Sequence, residues 1–224
     1  AFHEAGHALV GWLLEHADPV MKVSIVPRGK AALGYSQSLP KETPLYTGDQ
    51  LADMMCMALG GRAAEDVVFN EVSSGAQNDL ERVTNMAHSQ VTLYGMSEAV
   101  GPLSFASDEE SSKLYRPYSE KTARLIDDEV TSIISTSYAR ALSLLSENEV
   151  QLHALAEALL KREVIGTDEL REVLGERPFK KSVDWDQFIN ASWKRSAKPP
   201  AKPPAESAEG PAAPDEPVPA VPAV

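Results

Sequence analysis

The spacing of apolar residues changes along the first forty positions. Apolar residues recur at helical intervals over residues 2–16, which predicts a first helix. Asp18-Pro19 ends it, because a residue that precedes proline is pushed out of the α region. Residues 20–27 are rich in β-branched side chains, and residues 33–39 alternate strictly between the two faces of a strand. We therefore predict two strands joined by a hairpin loop.

After residue 39 the pattern becomes helical. Thr47 with Gln50 fits a capping box and predicts a helix through residue 59, and Ser74 with Gln77 fits a second box for a helix that ends near Gly95. The polar stretch 106–118 predicts a loop. Further helix starts are predicted at Ser119, which opens a long helix with an apolar stripe over residues 126–145, at Ser146 with Glu149 as its box partner, and at Thr167, whose helix ends at Gly175.

The end of the chain has a different composition. Nine of the sixteen prolines lie after residue 197, among alanines and few large apolar side chains. Proline lacks the backbone donor and fixes φ, so neither helix nor sheet propagates through such a segment. We predict a mainly α domain over residues 1–195, with a small β-sheet near its N-terminus, and a disordered Pro/Ala-rich tail over residues 196–224.

Composition and charge exclude several classes of protein. The chain has 224 residues, 43% of them hydrophobic and 24% charged, which is ordinary for a globular domain. The net charge of −12 argues against nucleic acid as a partner. The single cysteine, Cys56, allows no intrachain disulfide and is expected to be a buried apolar residue. No apolar run reaches the roughly 18–20 residues of a membrane span, and no signal peptide is expected in this stretch.

A candidate metal-binding motif begins at the third residue. His3-Glu4-Ala5-Gly6-His7 is an H-E-x-x-H motif, and residues four apart lie on one face of a helix. Both imidazoles can therefore point a ring nitrogen at one zinc ion. Zinc lowers the pKa of its bound water toward ~7, and Glu4 lies where it can take the proton as that water attacks a carbonyl. A di-iron site would need a second Glu-x-x-His pair, which the chain lacks.

A catalytic zinc takes three protein ligands, so one more must come from elsewhere in the chain. Carboxylates are the candidates, and the residues alone leave Glu65, Asp66 and Asp79 open. The metzincin continuation of the motif is absent, since its glycine and histidine positions hold Val10 and Leu13. The other histidines are expected to cap helix carbonyls or to lie on surfaces and in packing: His16, His88 and His153.

Five segments occur in order along the chain: HEAGHALVGW, GYSQSLPKE, LGGRAAEDVVF, SSGAQNDLERVTNMA and LYGMSEAVGPLSF. In these segments, over about residues 1–190, the chain resembles the peptidase domain of the FtsH-type AAA proteases. YSEKTARLIDDEV and LGERPF are most similar to the mitochondrial m-AAA, paraplegin-like branch. The resemblance implies a mostly helical domain that binds one zinc ion through His3, His7 and Asp79, with Glu4 as catalytic base. Glu65 would orient a ligating histidine or anchor the structure.

The resemblance also implies a function: the zinc endopeptidase domain of a membrane-anchored, ATP-dependent protease that degrades unfolded or misassembled proteins. It implies a homo- or hetero-hexameric ring, with the peptidase on the matrix side of the mitochondrial inner membrane; a bacterial inner membrane or a plastid membrane is the alternative. No G-x-x-x-x-G-K-[S/T] sequence occurs, so we expect ATP to act only through an AAA module that lies outside this chain. We likewise expect attachment to the membrane only through segments outside it. Two other hypotheses are a catalytically inactive oligomerisation or chaperone module and a stand-alone zinc peptidase.

The strand predicted at residues 33–39 has one face of small residues, Gly34, Ser36 and Ser38. Such a face lets another backbone approach closely. We therefore hypothesise that this is an edge strand to which an extended substrate adds by backbone pairing.

Overall fold

The computed structural model describes residues 1–27, 45–105 and 117–179, together with the backbone of residues 35–38. In these residues it contains six helices, a 3₁₀ turn and a three-stranded sheet, which confirms the mainly α fold with a small sheet. The predicted tail and domain boundary, and most of the predicted 106–118 loop, lie outside the described residues. The elements are α1 (Phe2–Leu13), β1 (Val20–Ser24), β2 (Tyr35–Ser38), α2 (Gly48–Phe69), the 3₁₀ turn (Ser74–Ala76), α3 (Gln77–Thr92), α4 (Glu120–Glu147), α5 (Glu149–Arg162), β3 (Val164–Gly166) and α6 (Thr167–Leu174).

The first helix ends three residues before the predicted position. Leu14 is already extended, with φ −104 and ψ 136. Two side chains hold the chain in this exit: Asp53 Oδ2 accepts a hydrogen bond from the His16 backbone N–H at 2.9 Å, and Arg177 Nη2 donates to the carbonyls of Leu14 and Ala17 at 2.6 and 3.1 Å. Residues distant in sequence thus satisfy the backbone groups that a longer helix would have paired internally.

The sheet has a third strand that the sequence did not predict. β1 lies in the centre, paired antiparallel with β2 on one side and with β3 on the other. β3 has only three residues, too few to show an alternating pattern. β1 is also shorter than predicted, because it ends at Ser24, whose Oγ accepts from Val26 N–H at 3.1 Å. Of the strand predicted at 33–39, Tyr35–Ser38 is a strand and the remainder lies outside the described residues.

Two of the predicted helix starts are confirmed. Thr47 and Gln50 form a reciprocal capping box, and α2 continues from there to Phe69, ten residues beyond the predicted stretch. Ser119 caps α4 by accepting from Thr122 N–H at 3.3 Å. In both cases the cap needs only residues within one turn, which is why the local sequence predicts it.

Three other predicted caps are wrong. Ser74 lies inside the 3₁₀ turn, which Ser73 caps, and α3 follows directly and ends at Thr92 rather than near Gly95. Ser146 lies inside α4, which continues to Glu147. Thr167 is the first residue of α6, and its Oγ1 donates to Met21 O of β1 at 3.1 Å instead of capping. The predicted end of α6 at Gly175 is confirmed by its φ of 79.

The described residues bury two apolar clusters. One lies among α1, the sheet, α5 and α6 and includes residues of α2 and α4, and the other lies between α2, α3 and α4, with Tyr138 of α4 packed against both. The predicted stripe of α4 faces these clusters.

Cys56 is fully buried, as expected, and burial raises the pKa of its thiol to about 12. No helix in the described part of the chain has the length and apolar character needed to cross a membrane.

Helices α1 and α2 cross with their backbones almost in contact. A Cβ built on Gly6 would lie 2.3 Å from the Gly60 carbonyl oxygen, and one built on Gly60 would lie 2.8 Å from the Gly6 carbonyl oxygen. Only glycine permits this approach at both positions. The crossing places the H-E-x-x-H face of α1 against the middle of α2.

Candidate metal centre

Three of the predicted residues converge at the crossing of α1 and α2. His3 and His7 lie one turn apart on α1, and Asp79 lies in the first turn of α3. The Nε2 atoms of the two histidines are 3.1 Å apart. Asp79 Oδ2 lies 3.3 Å from His3 Nε2 and 3.4 Å from His7 Nε2. This is the one group of potential metal ligands found among the described residues.

The other ring nitrogens of the two histidines are held by α2. His3 Nδ1 lies 2.9 Å from Glu65 Oε1, and His7 Nδ1 lies 2.9 Å from the carbonyl oxygen of Met57. Both partners accept a hydrogen bond, and the Gly61 N–H near His7 Nδ1 is more distant, at 3.3 Å. We therefore assign the proton of each neutral ring to Nδ1, which leaves a lone pair on each Nε2. Two facing lone pairs and a carboxylate oxygen repel one another unless a positive charge lies among them.

The distances fit zinc. Zn–N and Zn–O bonds of about 2.0–2.1 Å in a tetrahedral arrangement separate neighbouring ligand atoms by about 3.3 Å. The three observed separations, 3.1, 3.3 and 3.4 Å, are close to that value. Two imidazole nitrogens and one carboxylate oxygen are a donor set typical of catalytic zinc, with a fourth position left for water or substrate. The residues therefore fit the metal.

Glu4 lies beside the converging atoms in the first turn of α1. Burial raises the pKa of its carboxyl group above the ordinary value, and the neighbouring His7 and His3 oppose the shift without cancelling it. A carboxylate with a raised pKa is a stronger base than an exposed glutamate. The arrangement can therefore take up a proton next to a metal site.

Comparisons with known proteins identify the family of the chain. Residues 1–173 match the sequence profile of Peptidase family M41. The chain belongs to peptidase family M41. This confirms the resemblance to FtsH-type proteases, and with it the prediction that the domain is a metallopeptidase.

Relatives of this M41 domain come from mitochondria and from bacteria. The rice protein named "ATP-dependent zinc metalloprotease FTSH 8, mitochondrial" is 52% identical over 190 residues, 84% of this chain and 23% of its own length. Mouse "Mitochondrial inner membrane m-AAA protease component AFG3L2" is 48% identical over 193 residues, 86% and 24%. "ATP-dependent zinc metalloprotease FtsH" of Rhodothermus marinus is 56% identical over 182 residues, 80% and 26%. The chain thus spans about a quarter of these relatives.

The structure gives different positions to the three acids that were candidates for the third metal ligand. Asp79 meets both Nε2 atoms. Glu65 contacts the opposite nitrogen of His3, and Asp66 accepts a hydrogen bond from Tyr138 at 2.9 Å. Burial opposes the charge of Asp79. In the metal-free protein, protonated imidazoles of His3 and His7 would donate hydrogen bonds to it and supply positive charge, and these effects outweigh burial and hold the pKa of this carboxyl well below its ordinary value.

The remaining histidines lie elsewhere. The backbone N–H of His16 bonds to Asp53, His88 Nδ1 lies 3.3 Å from the hydroxyl of Thr92, and the ring of His153 packs edge-on against Phe2. None of the three belongs to the group of potential metal ligands found among the described residues. The exposed His88 and the packed His153 agree with the expected surface and packing roles, while the capping role expected for the His16 side chain stays a prediction, because the bond of His16 is made by its backbone.

Three features of the centre were not predicted from the sequence: the carbonyl of Met57, the bonds of Ser73 to Glu65, and Gly61. A Cβ on Gly61 would lie 2.5 Å from His7 Nε2 and 2.6 Å from His3 Nε2, so this glycine leaves room for the ligand atoms. Ser73 donates to Glu65 from its backbone N–H at 2.8 Å and from its Oγ at 3.1 Å. Gly61 and Ser73 lie in two segments that carry the family resemblance, LGGRAAEDVVF and SSGAQNDLERVTNMA. That resemblance implied no role for either residue.

Proposed function

We propose that this chain is a zinc-dependent endopeptidase domain in which His3, His7 and Asp79 hold the metal and Glu4 is the catalytic base. One observation carries the proposal: three ligand atoms from two helices converge within 3.4 Å of one another, beside a partly buried glutamate. The family membership supports it, because the relatives are named zinc metalloproteases.

The chain's residues divide the work of hydrolysis. His3, His7 and Asp79 would hold a zinc ion, which would supply Lewis-acid chemistry and lower the pKa of a water molecule at the site. Glu4 accepts the proton of the attacking water on a carboxylate oxygen and returns it to the amine nitrogen as the peptide bond breaks. The hydrogen bonds at the two Nδ1 atoms keep the rings oriented while this happens.

The test compares zinc content and cleavage of a permanently unfolded protein for the wild type and three variants purified in parallel. The wild type should hold about one zinc per chain. Glu4→Gln should keep the metal and lose cleavage, and Asp79→Ala should lose both. Asp66→Asn is the matched control, since this acid bonds to Tyr138 and should keep its zinc. Full zinc in Asp79→Ala would overturn the ligand assignment, and cleavage by Glu4→Gln would overturn the base.

The same test distinguishes the endopeptidase from the alternative function, an inactive oligomerisation or chaperone module. Such a module needs no base, so the wild type and Glu4→Gln would behave alike and neither would cut. A raised pKa on a glutamate beside a fitting ligand set supports catalysis instead.

For the whole protein, we propose an ATP-dependent, membrane-anchored protease that acts on unfolded or misassembled proteins as a homo- or hetero-hexameric ring. Support comes from the relatives' names, which include ATP-dependent proteases and an m-AAA component. Sedimentation of the intact protein should give a six-subunit mass, and cleavage of the unfolded substrate should stop when ATP is replaced by a non-hydrolysable analogue.

For location, we propose the mitochondrial inner membrane with the peptidase domain in the matrix, as the names of the rice and mouse relatives suggest. The bacterial relative, at 56% identity, supports the bacterial inner membrane as the alternative. Protease protection of the peptidase domain in isolated mitoplasts would support the first location. Its presence in a bacterial inner-membrane fraction would replace it.

We also propose that a substrate adds to β2 as an extended strand. β2 pairs with β1 on one side, and it stands at one end of the three described strands. Ser36→Pro removes a backbone donor and should lower peptide cleavage without loss of zinc. Unchanged hydrolysis would refute this mode of binding.

A further inference from the structure

One serine joins the two parts of the metal centre. Ser73 precedes the 3₁₀ turn that leads into α3 and so to Asp79. Its backbone N–H donates to Glu65 Oε2 and its hydroxyl to Glu65 Oε1, at 2.8 and 3.1 Å. The same Glu65 Oε1 lies 2.9 Å from His3 Nδ1. A continuous set of hydrogen bonds thus runs from the loop after α2 to a candidate ligand on α1.

The second link of Ser73 points forward along the chain. Its Oγ accepts from the backbone N–H of Gly75 at 3.2 Å and so caps the 3₁₀ turn. The turn ends at Ala76, and α3 begins at the next residue without a side-chain cap of its own. The position of the first turn of α3, which carries Asp79, therefore depends on how the preceding turn is held.

The segment between α2 and the turn offers few other anchors. α2 ends at Phe69, the φ of 51 at the capping residue Asn70 is left-handed, and residues 71–73 have no regular secondary structure. In the described part of the chain, the bonds from Ser73 to Glu65 are the side-chain hydrogen bonds that tie this segment back to α2.

We propose that Ser73 is a positioning residue that holds His3 and Asp79 in register: His3 through Glu65, and Asp79 through the 3₁₀ turn. Ser73 touches neither ligand. It matters because a zinc site tolerates deviations of about 0.2 Å in its bond lengths, while an unsupported loop moves by more than that. The inference rests on the proposed metal site.

The experiment measures zinc affinity by competition with a chromophoric chelator. Ser73→Ala removes the hydroxyl and keeps the backbone N–H, so the dissociation constant should rise about tenfold, the low end of the range for residues that support ligands. Ser73→Thr keeps the hydroxyl on an extended backbone and should restore the wild-type value. Ser74→Ala, one residue on and without a side-chain hydrogen bond among the described residues, is the matched control and should match the wild type.

Two further measurements separate positioning from general stability. The visible absorption of the Co²⁺-loaded protein reports ligand geometry and should change in Ser73→Ala but not in Ser74→Ala. The ¹⁵N shifts of the His3 ring in the metal-free protein report the tautomer, and the mutant should lose the single Nδ1–H form. Equal affinity, spectrum and ring shifts in Ser73→Ala and wild type would overturn the inference, and so would an equal loss in both alanine variants.

A double-mutant cycle tests whether Ser73 acts through Glu65. In a Glu65→Ala background the serine retains only its bond to Gly75, so Ser73→Ala should raise the dissociation constant by less than it does in the wild type. Full additivity would overturn the link. If wild type binds no zinc, the proposed function fails, whereas the His3 ring shifts in metal-free protein still decide the role of Ser73.

Discussion

Gly61→Ala should separate the stability of the fold from the binding of the metal. Gly61 is a buried residue in the middle of α2, where alanine is favoured over glycine by about 0.8–1.0 kcal/mol. Its added Cβ, however, would lie 2.5 Å from His7 Nε2 and 2.6 Å from His3 Nε2. Carbon atoms in van der Waals contact are about 3.5 Å apart or more, so each ring must retreat by about 1 Å.

That retreat is several times the roughly 0.2 Å that a metal site tolerates. Both rings are side-chain ends and can move without displacing the helices. We therefore expect zinc affinity to fall by at least about 100-fold, beyond the 10–100-fold typical of changes behind the ligands. The metal-free variant should unfold within about 1 kcal/mol of the wild type, because the gain in helix propensity offsets the cost of moving the rings.

The assay pairs chelator competition for zinc with urea unfolding of the metal-free protein. Two other glycines serve as controls. Gly48→Ala, in the first turn of α2 with no atom within 4 Å of its Cβ, should leave zinc affinity unchanged. Gly6→Ala places its Cβ 2.3 Å from a backbone carbonyl and should destabilise the metal-free fold by about 1–3 kcal/mol or more. Wild-type zinc affinity in Gly61→Ala would refute the reasoning.

Three further predictions concern stability. Arg177→Ala should lower the free energy of unfolding by about 1–3 kcal/mol in urea titrations, because the carbonyls at the end of α1 lose their donor. Arg140→Ala leaves the buried Asp53 carboxylate with the His16 N–H alone, and should cost about 1–3 kcal/mol, less than a fully buried pair because Arg140 is half exposed. Because the pKa of Asp79 is lowered in the folded state, its charge stabilises the metal-free protein above about pH 4, and this stability is lost as the pH falls further. In unfolding experiments with a chelator present, Asp79→Asn should therefore flatten the pH dependence of the free energy of unfolding below about pH 4.

The residues that the sequence predicted share one property: their signal is local. His3, Glu4 and His7 fall within one turn and a half of α1, and the capping box of Thr47 spans four residues. A helix fixes such relations by itself. Asp79 has no local mark, and only the resemblance to a family selected it from three acids.

The predictions that failed depended on tertiary contacts. Ser146 matches the capping-box pattern, yet α4 continues through it, because Leu145, the last residue of the apolar stripe, is fully buried and keeps this turn of the helix packed. Thr167 lies one residue inside α6, since its hydroxyl bonds to β1. β3 exists because β1 offers it an edge. A short pattern states what a segment can do, and the neighbouring elements decide which possibility is realised.

The centre depends most on the helix that supplies none of its proposed ligands. α2 leaves room for the two imidazoles at Gly61, and it orients them through the Met57 carbonyl and Glu65. Through Ser73 the same glutamate also reaches the segment that leads to Asp79. Grafting the H-E-x-x-H motif onto another helix would therefore reproduce two ligands without their orientation. The affinity and the geometry of the metal site should follow mutations in α2 as closely as mutations in α1.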